Sequence, residues 1–273
     1  MRRSPEGGVP GNGVWRVLEN WSELVEFFDV NCTIGRLATP PRHGPRTVEG
    51  TVEAMARAGI GRALVCHSLS IEAHPSVGNA RVVAETANLP SLLPCWVALP
   101  PTAGEMPSPE DFLRAMREAS VRAVRLCPSA GRHQFPLGTA DAQRLLLVLA
   151  ERRIPTLVDG SEISWSDVEA IAKAHPRLPL ILLNVGYRAI RTLYPIFEAA
   201  PNVHIETSLY QACGALREGV ARFGARRFLF GTNLPRFEPG CAVATVLYAD
   251  ISEDDKRLVA GGNLEALLRE AQP

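Results

Sequence analysis

The sequence has no excess of charge of either sign. Its 29 Lys and Arg residues balance 29 Asp and Glu residues, so the formal net charge is zero at pH 7. Proteins that bind nucleic acids neutralise phosphates and therefore need a basic excess or a concentrated basic stripe. Neither is found here, and we predict that nucleic acids are not partners of this protein.

Long apolar runs and paired cysteines are absent too. No apolar run approaches the roughly 20 residues that cross a bilayer, and the opening stretch MRRSPEGGVPGNG lacks the apolar core of a secretory signal. The 6 cysteines occur singly, without a CxxC pair, which favours a reducing compartment over a disulfide framework or a zinc ribbon. We expect a cytoplasmic protein that does not bind membranes.

The glycine motifs that hold nucleotides are also missing. Neither a GxGxxG after an apolar stretch nor a GxxxxGK[ST] occurs in the chain. These motifs place backbone N–H groups around phosphates. Without them we expect neither a dinucleotide nor a nucleoside triphosphate as a cofactor.

What the sequence does contain is a regular alternation of short apolar stretches and longer segments with helical spacing. The apolar stretches are residues 27–34, 61–68, 93–100, 121–128, 154–160, 178–186, 202–208 and 226–233. Apolar strands separated by helices are parallel and covered on both faces, and eight such units fill the roughly 250 residues of a (β/α)8 barrel. The sequence thus predicts an α/β fold, a single TIM barrel over residues 21–273 after a flexible arm at residues 1–20. A doubly wound open sheet is the alternative.

In this fold the active site lies where the strands end, at the C-terminal mouth of the barrel. Strand alternation identifies the polar side chains that point into it. The candidates are Asn31 and Thr33 of the first stretch, His67 of the second, Arg125 of the fourth, Asp159, Asn184, Glu206 and Asn233 at the ends of the last four, and Arg188 and Arg236 in the loops beyond.

The strand ends resemble the amidohydrolase superfamily, particularly its branch of decarboxylases and lactonases. The family's first strand reads Asp-x-His-x-His, and here the stretch reads Asp29-Val30-Asn31-Cys32-Thr33. The family's ligand histidines of strands 5 and 6 fall on Asp159 and Asn184, and its catalytic aspartate of strand 8 falls on Asn233. Matching features elsewhere are Gly78-Asn79, Arg125, Glu206-Thr207-Ser208 and Gly262-Asn263.

The resemblance implies an amidohydrolase-type barrel, and in typical members a metal that generates hydroxide from bound water. This sequence departs from that pattern, because Asn and Thr are poor ligands for transition metals compared with His. We therefore expect no metal and no other cofactor. A weak, oxygen-ligated Mg or Ca between Asp159 and Glu206 is the alternative.

Amides and arginines suit the binding of a small anionic or carbonyl compound. If the protein is an enzyme, we predict metal-independent lactone hydrolysis, decarboxylation or isomerisation of a small carboxylate. Asp159 would be the general acid or base, Arg125 would hold the carboxylate or oxyanion, and His67 is a further acid–base candidate. The remaining candidates, namely Asn31, Thr33, Asn184, Glu206, Asn233, Arg188 and Arg236, would bind the substrate.

Other interpretations remain open at this level. Asp159 and Arg125 could form a buried structural ion pair, and Cys127, which points inward by alternation, could be a nucleophile. Glu72 and His74 could reach over the mouth. The whole barrel could also be catalytically silent and bind a metabolite or a partner protein. The N-terminal arm could lie across a neighbouring subunit, which would make the protein a homo-oligomer.

Overall fold

The computed structural model describes residues 25–273, so the predicted arm at residues 1–20 lies outside the described part. Parallel strands alternate with helices along this part of the chain. The strands are β1 (Phe27–Ile34), β2 (Ile60–His67), β3 (Leu92–Pro94), β4 (Trp96–Val97), β5 (Val124–Leu126), β6 (Thr156–Asp159), β7 (Leu180–Leu183), β8 (Val203–Glu206) and β9 (Phe228–Leu229). Each predicted apolar stretch contains strand, and the third holds two, β3 and β4.

Backbone hydrogen bonds join these strands into two parallel ladders, and single hydrogen bonds connect them at both ends. Two ladders run β1-β2-β3 and β4 to β9 in chain order, and all their pairings are parallel. Cys95 N donates to Val65 O at 2.8 Å, which links the ladders where the third stretch is interrupted. Thr33 N donates to Leu234 O at 2.8 Å and so connects β1 to the chain beyond β9. The predicted TIM barrel is confirmed.

Helices cover the outside of the barrel. They are α1 (Val48–Arg57), α2 (Ser68–Glu72), α3 (Pro75–Thr86), α4 (Pro109–Glu118), α5 (Ala140–Glu151), α6 (Trp165–Ala174), α7 (Ile190–Ala199), α8 (Ala215–Phe223), α9 (Pro239–Leu247), α10 (Glu253–Arg257) and α11 (Asn263–Glu270). Several begin at a Ser or Thr whose hydroxyl accepts a hydrogen bond from a first-turn N–H, as Thr47 does for α1 and Ser108 for α4. None of the described helices is both long and apolar enough to cross a membrane.

The two terminal helices form one continuous segment. A π-helical turn over Leu258–Gly262 connects α10 to α11. Gly261 lies against β1, because a Cβ at this position would be 2.9 Å from the carbonyl oxygen of Glu26. The glycine therefore permits close packing of the terminal segment against the barrel rather than ending a helix.

A bulge in β1 decides which side chains reach the mouth. Between Asp29 and Cys32 the register against β2 shifts by one residue, which reverses the alternation of side chains. Phe28 and Val30 pack in the apolar interior with residues of the other strands, while Cys32 packs in the layer between strands and helices. Cys32 therefore faces the helix layer, where burial raises the pKa of its thiol.

Two asparagines that matched the amidohydrolase pattern maintain the scaffold. The side chain of Asn79 on α3 exchanges two hydrogen bonds of 2.8 Å with the backbone of Val97, extending the edge of β4. The amide of Asn263 donates to the carbonyl oxygens of Ala225 and Phe228, both at 2.8 Å. These residues secure the strands of the barrel and do not touch its mouth.

Candidate active site at the C-terminal mouth

A cavity of about 610 Å³ opens at the C-terminal ends of the strands. Its volume lies within the range of small-molecule sites. The sequence-predicted residues that line it are Thr33, Arg125, Asp159, Asn184, Asn233 and Arg236. The chain therefore brings side chains from five strands and their loops around one space, as predicted.

Asp159 ends β6 and is held firmly in the wall of this cavity. One oxygen, Oδ1, accepts hydrogen bonds from the backbone N–H and the hydroxyl of Ser161, at 2.9 and 2.7 Å. The other, Oδ2, accepts a hydrogen bond from Nδ2 of Asn184 at 2.5 Å. These contacts fix the orientation of the carboxylate, whose side chain is 14% exposed towards the cavity.

Arg125 of β5 presents a guanidinium with few partners. Its side chain is 9% exposed, and its Nε is buried without a hydrogen-bond acceptor in the described part of the chain. The nearest carboxylate oxygen is Oδ2 of Asp159, at 3.7 Å from Nη2. This distance is longer than the 2.7–2.9 Å of a charge-assisted hydrogen bond. The two residues are thus not closed onto each other, and the guanidinium remains available to an anion in the cavity.

Glu206 lies below the cavity and is completely buried. Its carboxylate accepts hydrogen bonds from the backbone N–H groups of Asn184 and Ser208, both at 2.5 Å, and from the Ser208 hydroxyl at 2.7 Å. Burial raises the pKa of Glu206, and these hydrogen bonds oppose the rise. A Cβ on Gly231 would come within 2.4 Å of its Oε2, so only glycine fits beside this carboxylate. Glu206 therefore supports the site from beneath rather than lining it.

Asn31 connects this buried layer to the mouth. Its Nδ2 donates to Oδ1 of Asn184 at 3.1 Å and approaches Oε1 of Glu206 at 3.4 Å. Asn184 in turn donates to Asp159, so a continuous chain of hydrogen bonds leads from Glu206 to Asp159. Asn184 and Asn233 both have φ of +57°, a left-handed conformation that Asn tolerates better than most residues. Such strain is typical of positions where the fold fixes a functional side chain.

Two predicted site residues lie elsewhere. His67 follows the inward-facing Cys66 and therefore points outward, with its Nε2 3.6 Å from Oε2 of Glu85 on α3. Its Nδ1 accepts a hydrogen bond from Leu69 N, and burial lowers the pKa of the imidazole. Arg188 is exposed beyond β7, with its guanidinium 5.9 Å from the ring centre of Tyr187. We correct both assignments, because neither side chain contributes to the cavity.

Sequence reasoning missed two charged residues that line the cavity. Glu162 follows β6 by three residues, and Arg132 lies in the loop after β5. Burial raises the pKa of Glu162, opposed by the nearby positive charge of Arg125, and the Ser129 hydroxyl donates to this carboxylate at 3.3 Å. The available signal was their place in the βα loops, but strand alternation does not extend into loops.

Cys127 points inward as predicted, but it is not a thiolate. The side chain is fully buried in the barrel interior, and burial raises the pKa of the thiol to about 12. Because the thiolate is the nucleophilic form, the neutral thiol of Cys127 acts as a small apolar group.

A comparison of the sequence with models of protein families identifies the family of this chain. The amidohydrolase family model matches residues 35–269. This chain belongs to the amidohydrolase family. No curated protein sequence matches it, so the relatives that share its fold come from solved structures.

Several solved amidohydrolase-type structures have the same fold. The 2,6-dihydroxybenzoate decarboxylase from Rhizobium superposes with a TM-score of 0.70 at 14% identity, over 90% of this chain and 99% of that one. A putative 2-pyrone-4,6-dicarboxylic acid hydrolase from Pseudomonas putida gives 0.67 at 14% identity, over 91% and 99%. A dihydroxybenzoic acid decarboxylase from Polaromonas, solved with bound manganese, gives 0.67 at 15% identity, over 90% and 97%.

The residues of this amidohydrolase do not fit such a metal. In the described residues 25–273, no three His, Cys, Asp or Glu side chains converge as a ligand set. The oxygens of Asp159 and Glu206 already accept hydrogen bonds, and the amide of Asn31 directs its N–H group, not its oxygen, towards Asn184 and Glu206. A cation requires oxygen, nitrogen or sulfur lone pairs that point at one centre. Between Asp159 and Glu206, the N–H groups of Asn31 and Asn184 take the positions that such lone pairs would need.

Asp29 of β1 joins the strand to the chain beyond β9, and its burial makes stability depend on pH. Thr232 donates to it through N–H and hydroxyl, at 3.0 and 2.5 Å, and burial raises the pKa of Asp29 to about 6 from 3.8. A folded-state pKa above the unfolded value means that the folded protein binds the proton more tightly. This contribution to the unfolding free energy is therefore present at low pH and falls by about 3 kcal/mol as pH rises from about 4 to about 6.

Asp29→Asn is expected to remove this dependence, since asparagine keeps an acceptor for Thr232 N and is never ionised. Urea unfolding of the wild type and of Asp29→Asn between pH 4 and 7 measures this dependence, as the difference between their unfolding free energies at each pH. Asp141→Asn, at an exposed position on α5, is the control for a lost surface carboxylate. A difference between Asp29→Asn and the wild type that stays constant with pH would contradict the assignment.

Proposed function

We propose that this amidohydrolase is a metal-independent enzyme that acts on a small carboxylate-bearing or lactone-like compound by acid–base chemistry. The observation that carries the proposal is the guanidinium of Arg125. It is buried, permanently charged and without a close partner, and it faces a cavity of about 610 Å³. A buried charge costs free energy unless it is paired and hydrogen-bonded. The only carboxylate within 4 Å of this guanidinium among residues 25–273 is 3.7 Å away and its Nε has no acceptor, so an anionic ligand would complete its compensation.

The neighbouring groups complete a set suited to acid–base chemistry. Arg125 holds the carboxylate of the substrate or a developing oxyanion. Asp159, oriented by Ser161 and Asn184, accepts a proton, and Glu162 is the matching proton donor because burial raises its pKa. The side-chain amide of Asn233 has no hydrogen-bond partner among residues 25–273 and donates to negative charge on the substrate.

The interior hydrogen bonds favour chemistry without a metal. Asn31 and Asn184 donate to Glu206 and Asp159, at positions where typical family members place histidines that bind metal. In place of a metal, the fixed hydrogen-bond donors and the positive charge of Arg125 stabilise negative charge that develops on the substrate. Decarboxylation and lactone opening both develop such charge. Structures of the same fold are named as a 2,6-dihydroxybenzoate decarboxylase and as a putative 2-pyrone-4,6-dicarboxylic acid hydrolase. A cytoplasmic location and a homo-oligomeric state remain predictions from the sequence.

Asp159→Asn tests the catalytic assignment. Chelator-treated protein is first screened by liquid chromatography for conversion of two sets of compounds, aromatic carboxylates and small lactones. With the substrate found, Asp159→Asn is expected to lower kcat about a hundredfold, because a positioned acid–base group contributes about that much or more. KM should change by less than about threefold, since Arg125 still binds the carboxylate.

Asp141→Asn again serves as the matched control, because it removes an aspartate outside the cavity. Elemental analysis of protein purified without chelator accompanies the assay. Near-stoichiometric zinc, manganese or iron that activity requires would contradict metal independence. Tight binding of carboxylates without turnover would favour the alternative, a silent barrel that binds a metabolite.

A further inference from the structure

Glu72 ties together the loops around the mouth of the barrel. It is the last residue of α2, which follows β2, and its side chain is 13% exposed. Its Oε2 accepts a hydrogen bond from the backbone N–H of Ala38 at 2.7 Å, in the loop after β1. Its Oε1 lies 3.6 Å from Nη1 of Arg132 and 3.7 Å from Nη2 of Arg236, in the loops after β5 and β9.

The two arginines at this rim are held only loosely. Neither guanidinium makes a hydrogen bond within residues 25–273, and the remaining partner of Arg132 is Glu162, at 4.0 Å from its Nε. By contrast, the surface pair Arg114 and Asp111 closes to 2.6 Å. Arg132 and Arg236 also line the cavity that Arg125 faces. The mouth thus has a second set of anion-binding groups, and the carboxylate of Glu72 already lies between them.

The carboxylate of Glu72 has a fixed position beside the two arginines. Its hydrogen bond to Ala38 N and its burial hold the carboxylate in place beside both arginines. A second acidic group on a ligand, drawn to Arg132 or Arg236, would lie within a few ångströms of this negative charge. Like charges at such a distance repel strongly where water is scarce, so Glu72 opposes the arginines as a binding site for that group.

We propose that Glu72 is a specificity-determining residue that restricts the site to ligands with one acidic group and a neutral distal end. This inference rests on the proposed function, in which Arg125 holds the acidic group at the floor of the cavity. Because its carboxylate already lies beside Arg132 and Arg236, Glu72 prevents a second acidic group of the ligand from binding these arginines at the rim. The selection follows from charge placement and needs no movement of the loops.

Calorimetric titration with benzoate and isophthalate tests the proposal, because the two probes differ by one carboxylate. Wild-type protein is expected to bind benzoate more tightly than isophthalate. Glu72→Gln should strengthen isophthalate binding about tenfold or more and change benzoate binding by less than about threefold. Glu72→Ala should act in the same direction, which guards against an effect specific to the glutamine side chain.

Two further proteins make the result specific. Glu265→Gln removes a surface carboxylate that pairs with Arg62 far from the cavity and should leave both affinities unchanged. Adding Arg236→Gln to Glu72→Gln should abolish the gain for isophthalate. Unchanged isophthalate affinity in both Glu72 variants, with normal benzoate binding, would overturn the role of Glu72 alone. Absence of benzoate binding to the wild type would instead overturn carboxylate binding at Arg125, and with it the inference.

Discussion

Replacing Arg125 by glutamine is expected to weaken the binding of small carboxylates about a thousandfold, which corresponds to about 4 kcal/mol. The side chain supplies a nearly buried positive charge at the floor of the cavity, and water reaches it poorly. Glutamine retains a hydrogen-bond donor but loses the charge and the two-pronged geometry that matches a carboxylate. The ligand would also face Asp159 and Glu162 without the charge that offsets their repulsion.

Isothermal titration of benzoate into the wild type and Arg125→Gln measures the effect. Arg188→Gln is the matched control, because Arg188 is an exposed arginine of the same mouth that lies outside the cavity. Its replacement should change the affinity by less than about threefold. Equal losses in the two variants would mean that general surface charge, not a site at Arg125, attracts the anion.

Arg227→Ala is expected to lower the free energy of unfolding by about 4 kcal/mol. Arg227 precedes β9 and is 9% exposed. Its guanidinium donates to the carbonyl oxygens of Val203, Phe197 and Ala200, at 2.7, 3.0 and 2.8 Å, and lies 4.1 Å from the ring centre of Phe197. Truncation leaves three carbonyl groups at the end of α7 and the start of β8 without their donor. Hydrogen bonds to charged groups are the stronger kind, which explains the large loss.

Urea unfolding monitored by circular dichroism measures this loss. Arg226→Ala, at the adjacent exposed position, should stay within about 0.5 kcal/mol of the wild type. Arg227→Lys should fall between the two, because lysine keeps the charge but not the three-way geometry. Similar stabilities for Arg226→Ala and Arg227→Ala would show that the buried guanidinium contributes little.

The sequence predicted the barrel because its pattern is repeated. Each apolar stretch contains strand, and helices occupy the segments between the stretches. The interruption at Cys95 and the π-helical turn at Gly261-Gly262 were not predicted. Both depend on contacts with distant chain segments, as when Gly261 lies against Glu26 of the chain entering β1. Local propensity carries no information about such contacts.

The repeated strand pattern also predicted part of the candidate site. Arg125, Asp159 and Asn184 lie at strand ends, where parallel pairing brings consecutive ends to one edge. His67 was misassigned because Cys66 takes the inward position at the end of β2. Arg188 was misassigned because a loop beyond a strand gives no direction to its side chains. Glu162 and Arg132 reach the mouth through loop conformations that alternation does not describe. Glu72, which the sequence had suggested as a residue over the mouth, reaches it from the end of α2.

The sequence by itself determined the barrel, its family resemblance and the replacement of histidines by Asn31, Asp159 and Asn184. These features are encoded in periodicity and in residue identity, which a single chain displays directly. Only the tertiary structure decided that Arg125 lacks a close partner, that the amide donors point at Glu206 and Asp159, and that Glu72 lies between two arginines. Distances and hydrogen-bond directions arise from packing between segments far apart in the chain, and they determine which charges remain available to a ligand.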